Sequence, residues 1–285
     1  MPEYLAGRTA RLNLQGPCIV GILNVTPDSF SDGGRFCSVD AALEQGRRMA
    51  LEGASLIDIG GESTRPGAPK VSVEEELERV LPVIEALHSE LVLPLSIDTS
   101  KSAVAAAAVA AGVEFVNDIS GLTFDPEMAD VVADSGAGLI VMHTRGEPDS
   151  MQRDTHYADV VADVMTALRH SIECAEAAGV AGDKIAVDPG IGFGKDVTGN
   201  LELLRQTAAL TELDRPVMLG TSRKSFIGRV LDQKDPGDRL AGTLATIALG
   251  FAGGARIFRV HDVAAAYQAA LMAQAVCCGA EWYDD

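Results

Sequence analysis

Eight short apolar runs, each followed by a longer stretch with helical spacing, constrain what this chain can fold into. The runs are Ile19–Leu23, Leu56–Ile59, Leu95–Ile97, Phe115–Val116, Gly138–Met142, Ile185–Val187, Val217–Leu219 and Ile257–Val260. The stretches after them are Ala41–Leu51, Val73–Leu87, Ser102–Ala111, Glu127–Ala133, Ala158–Ala178, Leu201–Ala209, Arg239–Ala252 and Val263–Cys277. Within the runs, apolar residues stand at successive positions, as parallel strands covered on both faces require. In the longer stretches Ala, Leu and Val recur at helical spacing. Eight β–α units in 285 residues fit a closed (β/α)8 TIM barrel better than an open doubly wound sheet. A short N-terminal hairpin over Tyr4–Leu14 and an extra short helix after Ser225 are expected. Three Gly- and Pro-containing stretches, Thr26–Arg35, Gly60–Pro69 and Arg145–Asp154, each follow a strand. They read as long βα loops, not linkers, so residues 1–285 are expected to form one domain.

The charge balance narrows the partners. With 41 acidic and 23 basic residues the net charge is −18, which repels nucleic acid and anionic membranes. An anionic substrate would need local cations or a metal ion at the site. The five cysteines, Cys18, Cys37, Cys174, Cys277 and Cys278, form no CxxC pair, so neither a zinc site nor a disulfide framework is expected. No apolar run is long enough for a membrane span, and no signal-peptide pattern opens the sequence. A reducing cytoplasm is the expected setting.

In a (β/α)8 barrel the C-terminal strand ends converge on one mouth. Here that mouth is polar all round. Strand one ends at Asn24, and strand two runs into Asp58, Glu62, Thr64 and Arg65. The next strands end at Asp98, at Asn117 and Asp118, at His143, and at Asp188. The last two lead to Ser222, Arg223 and Lys224, and to Arg259 and His261. A lone polar residue after a strand is usually a helix cap; eight in succession, mixing carboxylates, amides and cations, exceed what capping needs. Asp98, Asn117 and Asp188 suit the N–H groups of a flat polar heterocycle, with Lys224 as a further donor. Arg65, Arg259 and His261 suit phosphate. Asn24 is a neutral oxygen that could share a Mg2+ ion with phosphate oxygens.

At these residues the chain resembles the dihydropteroate synthase family along nearly its whole length. The matching stretches are GILNVTPDSFSDGG (21–34), DIGGESTRPG (58–67), SIDTSK (96–101), VNDISG (116–121), DPGIGFGK (188–195), LGTSRKSFIG (219–228) and RVHDV (259–263). The resemblance implies a (β/α)8 barrel that joins p-aminobenzoate to 6-hydroxymethyl-7,8-dihydropterin diphosphate, with release of pyrophosphate, in folate biosynthesis. It implies that Asp98, Asn117, Asp188 and Lys224 hold the pterin. Asn24, Thr64, Arg259 and His261 would hold the diphosphate, with Mg2+ at Asn24, and Thr64, Arg65, Pro66, Phe193 and Ser222 would border the p-aminobenzoate site. Asp98, Lys224, Arg259 and His261 are the expected catalytic set. The implied reaction is SN1-like: pyrophosphate leaves first, Asp98 stabilises the pterin-methyl cation, and the loops Thr26–Gly34 and Ser63–Gly67 close against water. A homodimer and inhibition by sulfonamides are also implied.

Other residues have plainer readings. His143, Lys101, Lys195 and Arg256 are expected to be structural or superficial, and Cys277-Cys278 to be small core residues. DPGIGFGK is not a phosphate loop, because Pro189 stands where the first glycine would be. A pterin-dependent methyltransferase would share the heterocycle pocket but has no need of the diphosphate cations.

Overall fold

The computed structural model describes residues 2–26, 34–63 and 70–279, with the backbone alone at 34–38. Thr64, Arg65 and Pro66 lie outside the described residues, as does most of the first glycine-rich loop. Strands β1 (Tyr4–Ala6) and β2 (Arg11–Asn13) form the expected antiparallel hairpin, with Leu5 opposite Leu12. The eight expected runs become β3 (Cys18–Asn24), β4 (Leu56–Gly60), β5 (Leu95–Asp98), β6 (Phe115–Asp118), β7 (Gly138–Met142), β8 (Ile185–Asp188), β9 (Met218–Leu219) and β10 (Ile257–Val260). All neighbours are parallel, in the order β8-β7-β6-β5-β4-β3-β10-β9. A single bridge between Val187 and Val217 joins the two ends, so the sheet closes on itself.

Around it lie α1 (Gly34–Leu51), α2 (Val73–Glu90), α3 (Ser102–Ala110), α4 (Met128–Ser135), α5 (Val160–Ala178), α6 (Val197–Arg205), α7 (Thr207–Leu210), α8 (Ser225–Leu231), α9 (Leu240–Ala252) and α10 (Val263–Cys278). Several starts are set by side-chain caps: Ser72 accepts from Glu75 N, Asp159 from Val161 N and Ala162 N, and Asp196 from Gly199 N. Such caps satisfy donors that the first helical turn leaves unpaired. The expected single helix over Leu201–Ala209 is instead two, because the backbone leaves helical geometry at Gln206. Cys277 and Cys278 are exposed at the end of α10, not core residues.

Strand parity sorts the side chains into two sets. Ile19, Leu23, Ile57, Ile59, Ile97, Val116, Leu139, Val141, Val187 and Phe258 belong to the layer packed against the helices. Cys18, Val20, Leu56, Phe115, Ile140, Ala186, Met218 and Ile257 pack with one another inside the barrel. The hairpin closes the bottom: Leu5, Leu12 and Leu14 are buried in that same inner cluster. The Glu114 carboxylate fastens it by accepting from Thr9 N at 2.6 Å, Ala10 N at 2.9 Å and Thr9 Oγ1 at 2.7 Å. Gly138 makes the closure possible: a Cβ there would stand 2.3 Å from Phe115 Cδ1 and 2.7 Å from the Ala6 carbonyl. Two residues above Leu56, Ser96, Phe115, Ala186 and Ile257 on the same inner parity come Asp58, Asp98, Asn117, Asp188 and Arg259. The core therefore turns polar near the C-terminal ends of these strands.

Candidate active site

Arg259 is the centre of this polar layer. Its Nε donates to Asp58 Oδ2 at 2.6 Å and its Nη2 to Asp98 Oδ2 at 2.6 Å. Asp58 is wholly buried. It also accepts from Asn117 Nδ2 at 3.0 Å and from Ser96 Oγ at 2.5 Å. One guanidinium thus joins strands β4, β5 and β10, and Asp58 adds β6. Arg259 continues the inward parity of Ile257, so it points into the barrel and is only partly exposed, with its charge already engaged by two carboxylates. The sequence reading placed Asp58 in the ring without a role. The run Leu56–Ile59 is apolar on both parities, so it carries no signal for one; the structure shows that Asp58 shares the inward parity of Leu56 and pairs in register with Ser96.

Two buried acceptors in this layer lack a partner among the described residues: Asp98 Oδ1 and Asn117 Oδ1. A buried unsatisfied polar atom costs roughly 1–3 kcal/mol. The pair therefore reads as acceptors kept for a ligand's N–H groups.

Burial raises the pKa of Asp98, against the pull of Arg259 and with help from the Asp58 carboxylate. Asp188 is pushed up to about 6 by burial, although Gly190 N donates to its Oδ1 at 2.7 Å. Lys224 is pushed down to about 8, by burial first and then by Arg259. Carboxyl and ammonium groups poised near neutrality in one concavity mark a functional site.

The wall above the polar layer is apolar: Ile119, Met142, Met151 and Phe193 form a small buried cluster. Lys224 Nζ lies 4.0 Å from the centroid of the Phe193 ring, a cation–π contact. The loop that carries Phe193 is fixed from below by Lys195. That side chain is buried, with Nζ 2.8 Å from Phe193 O, 2.9 Å from Gly190 O and 2.9 Å from His143 Nδ1. Burial lowers Lys195 to about 7 and His143 to about 3. Both are structural here, as expected, and His143 is a neutral acceptor for the lysine. Gly190 has φ +68°, and a Cβ would stand 1.9 Å from the His143 carbonyl. Only glycine allows this approach.

The remaining edge of the mouth is a double latch between two turns. Ser222 Oγ accepts from His261 N at 3.1 Å and lies 3.0 Å from His261 Nδ1. Burial holds His261 down near 4, with Arg259 adding to the shift. A neutral ring that takes the serine proton on Nδ1 carries its own on Nε2. Beside it Arg223 grips Asp262 with two bonds, Nε to Oδ2 at 2.9 Å and Nη2 to Oδ1 at 2.5 Å. Arg223 is thus committed to a neighbour, and Ser222 orients His261. Asp118, at the end of β6, accepts from Ser120 N at 2.8 Å and Leu122 N at 2.7 Å; it builds a turn and does not face the mouth. Asn24 ends β3 across Gly60 from Asp98: a Cβ on Gly60 would lie 3.6 Å from Asn24 Oδ1 and 3.7 Å from Asp98 Oδ2. Beyond Asp98, a cavity of about 300 Å³ opens between the βα loops, lined in part by Glu62, Glu76, Lys101, Ile119 and Phe124.

A barrel whose closed bottom and polar mouth fit a flat nitrogen heterocycle defines the class of protein. The sequence pattern of the family described as "Pterin binding enzyme" matches residues 20–261. The chain belongs to this family. Dihydropteroate synthase of a Synechocystis strain is 50% identical over 258 residues, 90% of this chain and 89% of that protein. Among solved structures, Xanthomonas albilineans dihydropteroate synthase with 4-aminobenzoic acid superposes with a TM-score of 0.91 at 47% identity, covering 97% of this chain and 98% of that one. Yersinia pestis dihydropteroate synthase in a sulfonamide drug complex gives 0.89 at 43% identity, covering 96% and 98%.

Proposed function

We propose that this chain is a dihydropteroate synthase, a transferase that forms a C–N bond between p-aminobenzoate and 6-hydroxymethyl-7,8-dihydropterin diphosphate. The observation that carries this reading is the inner polar layer itself. Two partnerless buried acceptors, on Asp98 and Asn117, sit with Asp58, Asp188, Lys224 and Arg259 at the mouth of a barrel belonging to the pterin binding family.

Each residue then has a task. Asp98, Asn117 and Asp188 accept the pterin's N–H groups, and Lys224 donates to a ring acceptor. Asn24, Thr64, Arg259 and His261 hold the diphosphate. Ser222, Phe193, Thr64, Arg65 and Pro66 border the amine, and a sulfonamide, which carries the same aniline ring, fits that subsite. The C–O bond from the pterin methylene to the diphosphate breaks, and its electron pair departs on pyrophosphate. The amine lone pair forms the new C–N bond, and the nitrogen gives up one proton. Arg259 leaves Asp98 to meet the departing charge, which frees the Asp98 carboxylate to face the positive charge on the pterin methylene. Ile119, Met142, Met151 and Phe193 keep water from that carbon.

Mg2+ fits the donor set only in a particular way. Among the described residues no cluster of three or more His, Cys, Asp or Glu is arranged for a metal ion. Asn24 offers one neutral oxygen, so the ion would draw its other ligands from substrate phosphate and water. When bound it would neutralise charge on the leaving pyrophosphate.

A homodimer is part of this reading, supported by Leu249 on α9 and by Met272 and Val276 on α10, all exposed apolar side chains. So is a cytoplasmic setting, supported by the free thiols of Cys18, Cys174, Cys277 and Cys278. No described helix is long and apolar enough to cross a membrane. Residues 1–285 act as one domain in this scheme. The test is pyrophosphate release on mixing pterin diphosphate with p-aminobenzoate. Release that depends on both substrates is expected, and none above background at saturating concentrations would overturn the reading.

A further inference from the structure

One charged cluster beside the mouth, buried at Glu76 and partly exposed at Lys101 and Glu62, has no task in this scheme. Glu76 on α2 is wholly buried, where carboxylates are rare unless paired. Lys101, just past Asp98, places Nζ 2.5 Å from Glu76 Oε2 and 2.5 Å from Glu62 Oε2. Glu62 Oε1 accepts in turn from Val71 N at 3.1 Å. Arg79 on α2 donates to Gly61 O at 2.7 Å. Lys101 therefore ties the incoming stem of the β4–α2 loop (Gly61 and Glu62) to its outgoing stem at Val71, to α2 and to the turn that follows Asp98. Residues 64–69 lie outside the described residues, and the inference concerns the stems alone.

Two carboxylates facing one ammonium leave surplus negative charge, and the Glu76 end of it is poorly solvated, with Oε1 lacking a partner among the described residues. Apolar side chains of similar volume would hold helix to loop at least as well. Stability alone thus gives no reason for the cluster. What an ammonium between two carboxylates adds is position: its donors fix both groups at one point, and Glu62 passes that constraint on to Val71. The pterin half has its own hydrogen bonds, since Asp58 joins Ser96, Asn117 and Arg259 without any to the cluster; Glu76 reaches it only through its charge, which helps to raise the Asp98 pKa.

We propose that Lys101, with Glu62 and Glu76, is a positioning group for the amine substrate. It fixes both stems of the β4–α2 loop relative to Asp98 and so sets the affinity for p-aminobenzoate without touching it. This rests on the proposed function, in which residues carried between those stems border the amine.

Steady-state kinetics with both substrates test it on Lys101→Met and on the double variant Lys101→Met/Glu76→Gln. The single variant leaves a buried carboxylate unpaired and lowers Tm; the double removes that charge and recovers Tm. Both are expected to raise KM for p-aminobenzoate about tenfold; in the double variant, where the Glu76 charge that acts on Asp98 is also gone, KM for pterin diphosphate and kcat are expected within about threefold of the unaltered enzyme. Lys101→Arg keeps the donors and is expected to restore a near-normal KM. Glu62→Gln, at a partly exposed side chain, serves if the others do not fold, with a rise of about threefold in the same KM alone. A double variant with recovered Tm and a normal KM for p-aminobenzoate overturns the proposal, as do equal rises in both KM values. Absence of pyrophosphate release from the unaltered enzyme would instead overturn the function, so the two failures are distinguishable.

Discussion

The two ends of this barrel are built from the same strands on opposite principles. At the bottom, Leu5, Leu12, Cys18, Leu56, Phe115, Ala186, Met218 and Ile257 fill the interior with apolar volume, and the hairpin that closes it has its turn amides taken up by Glu114. At the mouth, a few ångströms along the same inner parity, stand Asp58, Asp98, Asn117, Asp188 and Arg259, with two buried acceptors that have no partner among the described residues. The bottom holds the fold. The mouth gives up stability there, and its charges are held by the Arg259 bonds to Asp58 and Asp98. Function is concentrated where the chain is least satisfied.

The comparison can be broken at either end. The largest effect is expected from Phe115→Ala, which empties the wholly buried bottom and costs about 3–5 kcal/mol. Chemical denaturation measures the loss, and kcat of the folded fraction is expected to be nearly unchanged. A comparable fall in kcat would show that the two ends are coupled.

Asp98→Asn is the counterpart at the mouth. We predict a fall in kcat of about 10²–10³-fold, typical of losing one electrostatic stabiliser of a transition state, with a much smaller loss of pterin affinity. Equal losses in both would remove the special role of Asp98. Stability is expected to move the other way. Burial raises the Asp98 pKa above its unfolded value, so its contribution is present below the unfolded pKa and is lost as pH rises through the folded one. At neutral pH the ionised carboxylate is a net cost, and the neutral amide should raise Tm.

The pH profile of kcat/KM for pterin diphosphate sharpens the contrast further, since the bottom contributes nothing to it. Asp98, pushed up to about 7, and Asp188, pushed up to about 6, must be ionised to accept, and Lys224, pushed down to about 8, must be protonated to donate. A bell with a steep, two-proton acid limb between the two carboxylate values and a base limb near that of Lys224 is expected, and Asp188→Asn should leave a single-proton acid limb that belongs to Asp98. An acid limb of unchanged slope in the variant would show that Asp188 does not contribute to it. The smallest effect is expected from Ser222→Ala, which frees His261 from its partner. A rise of a few-fold in KM for pterin diphosphate, worth about 1 kcal/mol, would follow from loss of the bond that orients the ring, the second lost bond being to the His261 backbone. No change at all would mean that the backbone alone orients His261.

The sequence determined the repeating unit, the eight strands, the hairpin and the identity of the polar residues at the strand ends. These depend on local spacing and on the alternation of side chains along a strand. The inward set was not available to it, because Leu56 and Ile57, or Ile257 and Phe258, are equally apolar; only the closed barrel shows that Leu56 and Ile257 face inward and, with them, Asp58 and Arg259. What the tertiary structure decided is which of these charges meet. That Arg259 spans Asp58 and Asp98, that Arg223 is held by Asp262, that Ser222 orients His261, that Lys101 is partnered and that Lys195 is partnered and buried all depend on distances between different strands and loops. Charge pairing falls steeply with distance and with solvent access. A one-dimensional pattern names the charges, and only the closed barrel fixes how far apart they stand and how much water remains between them.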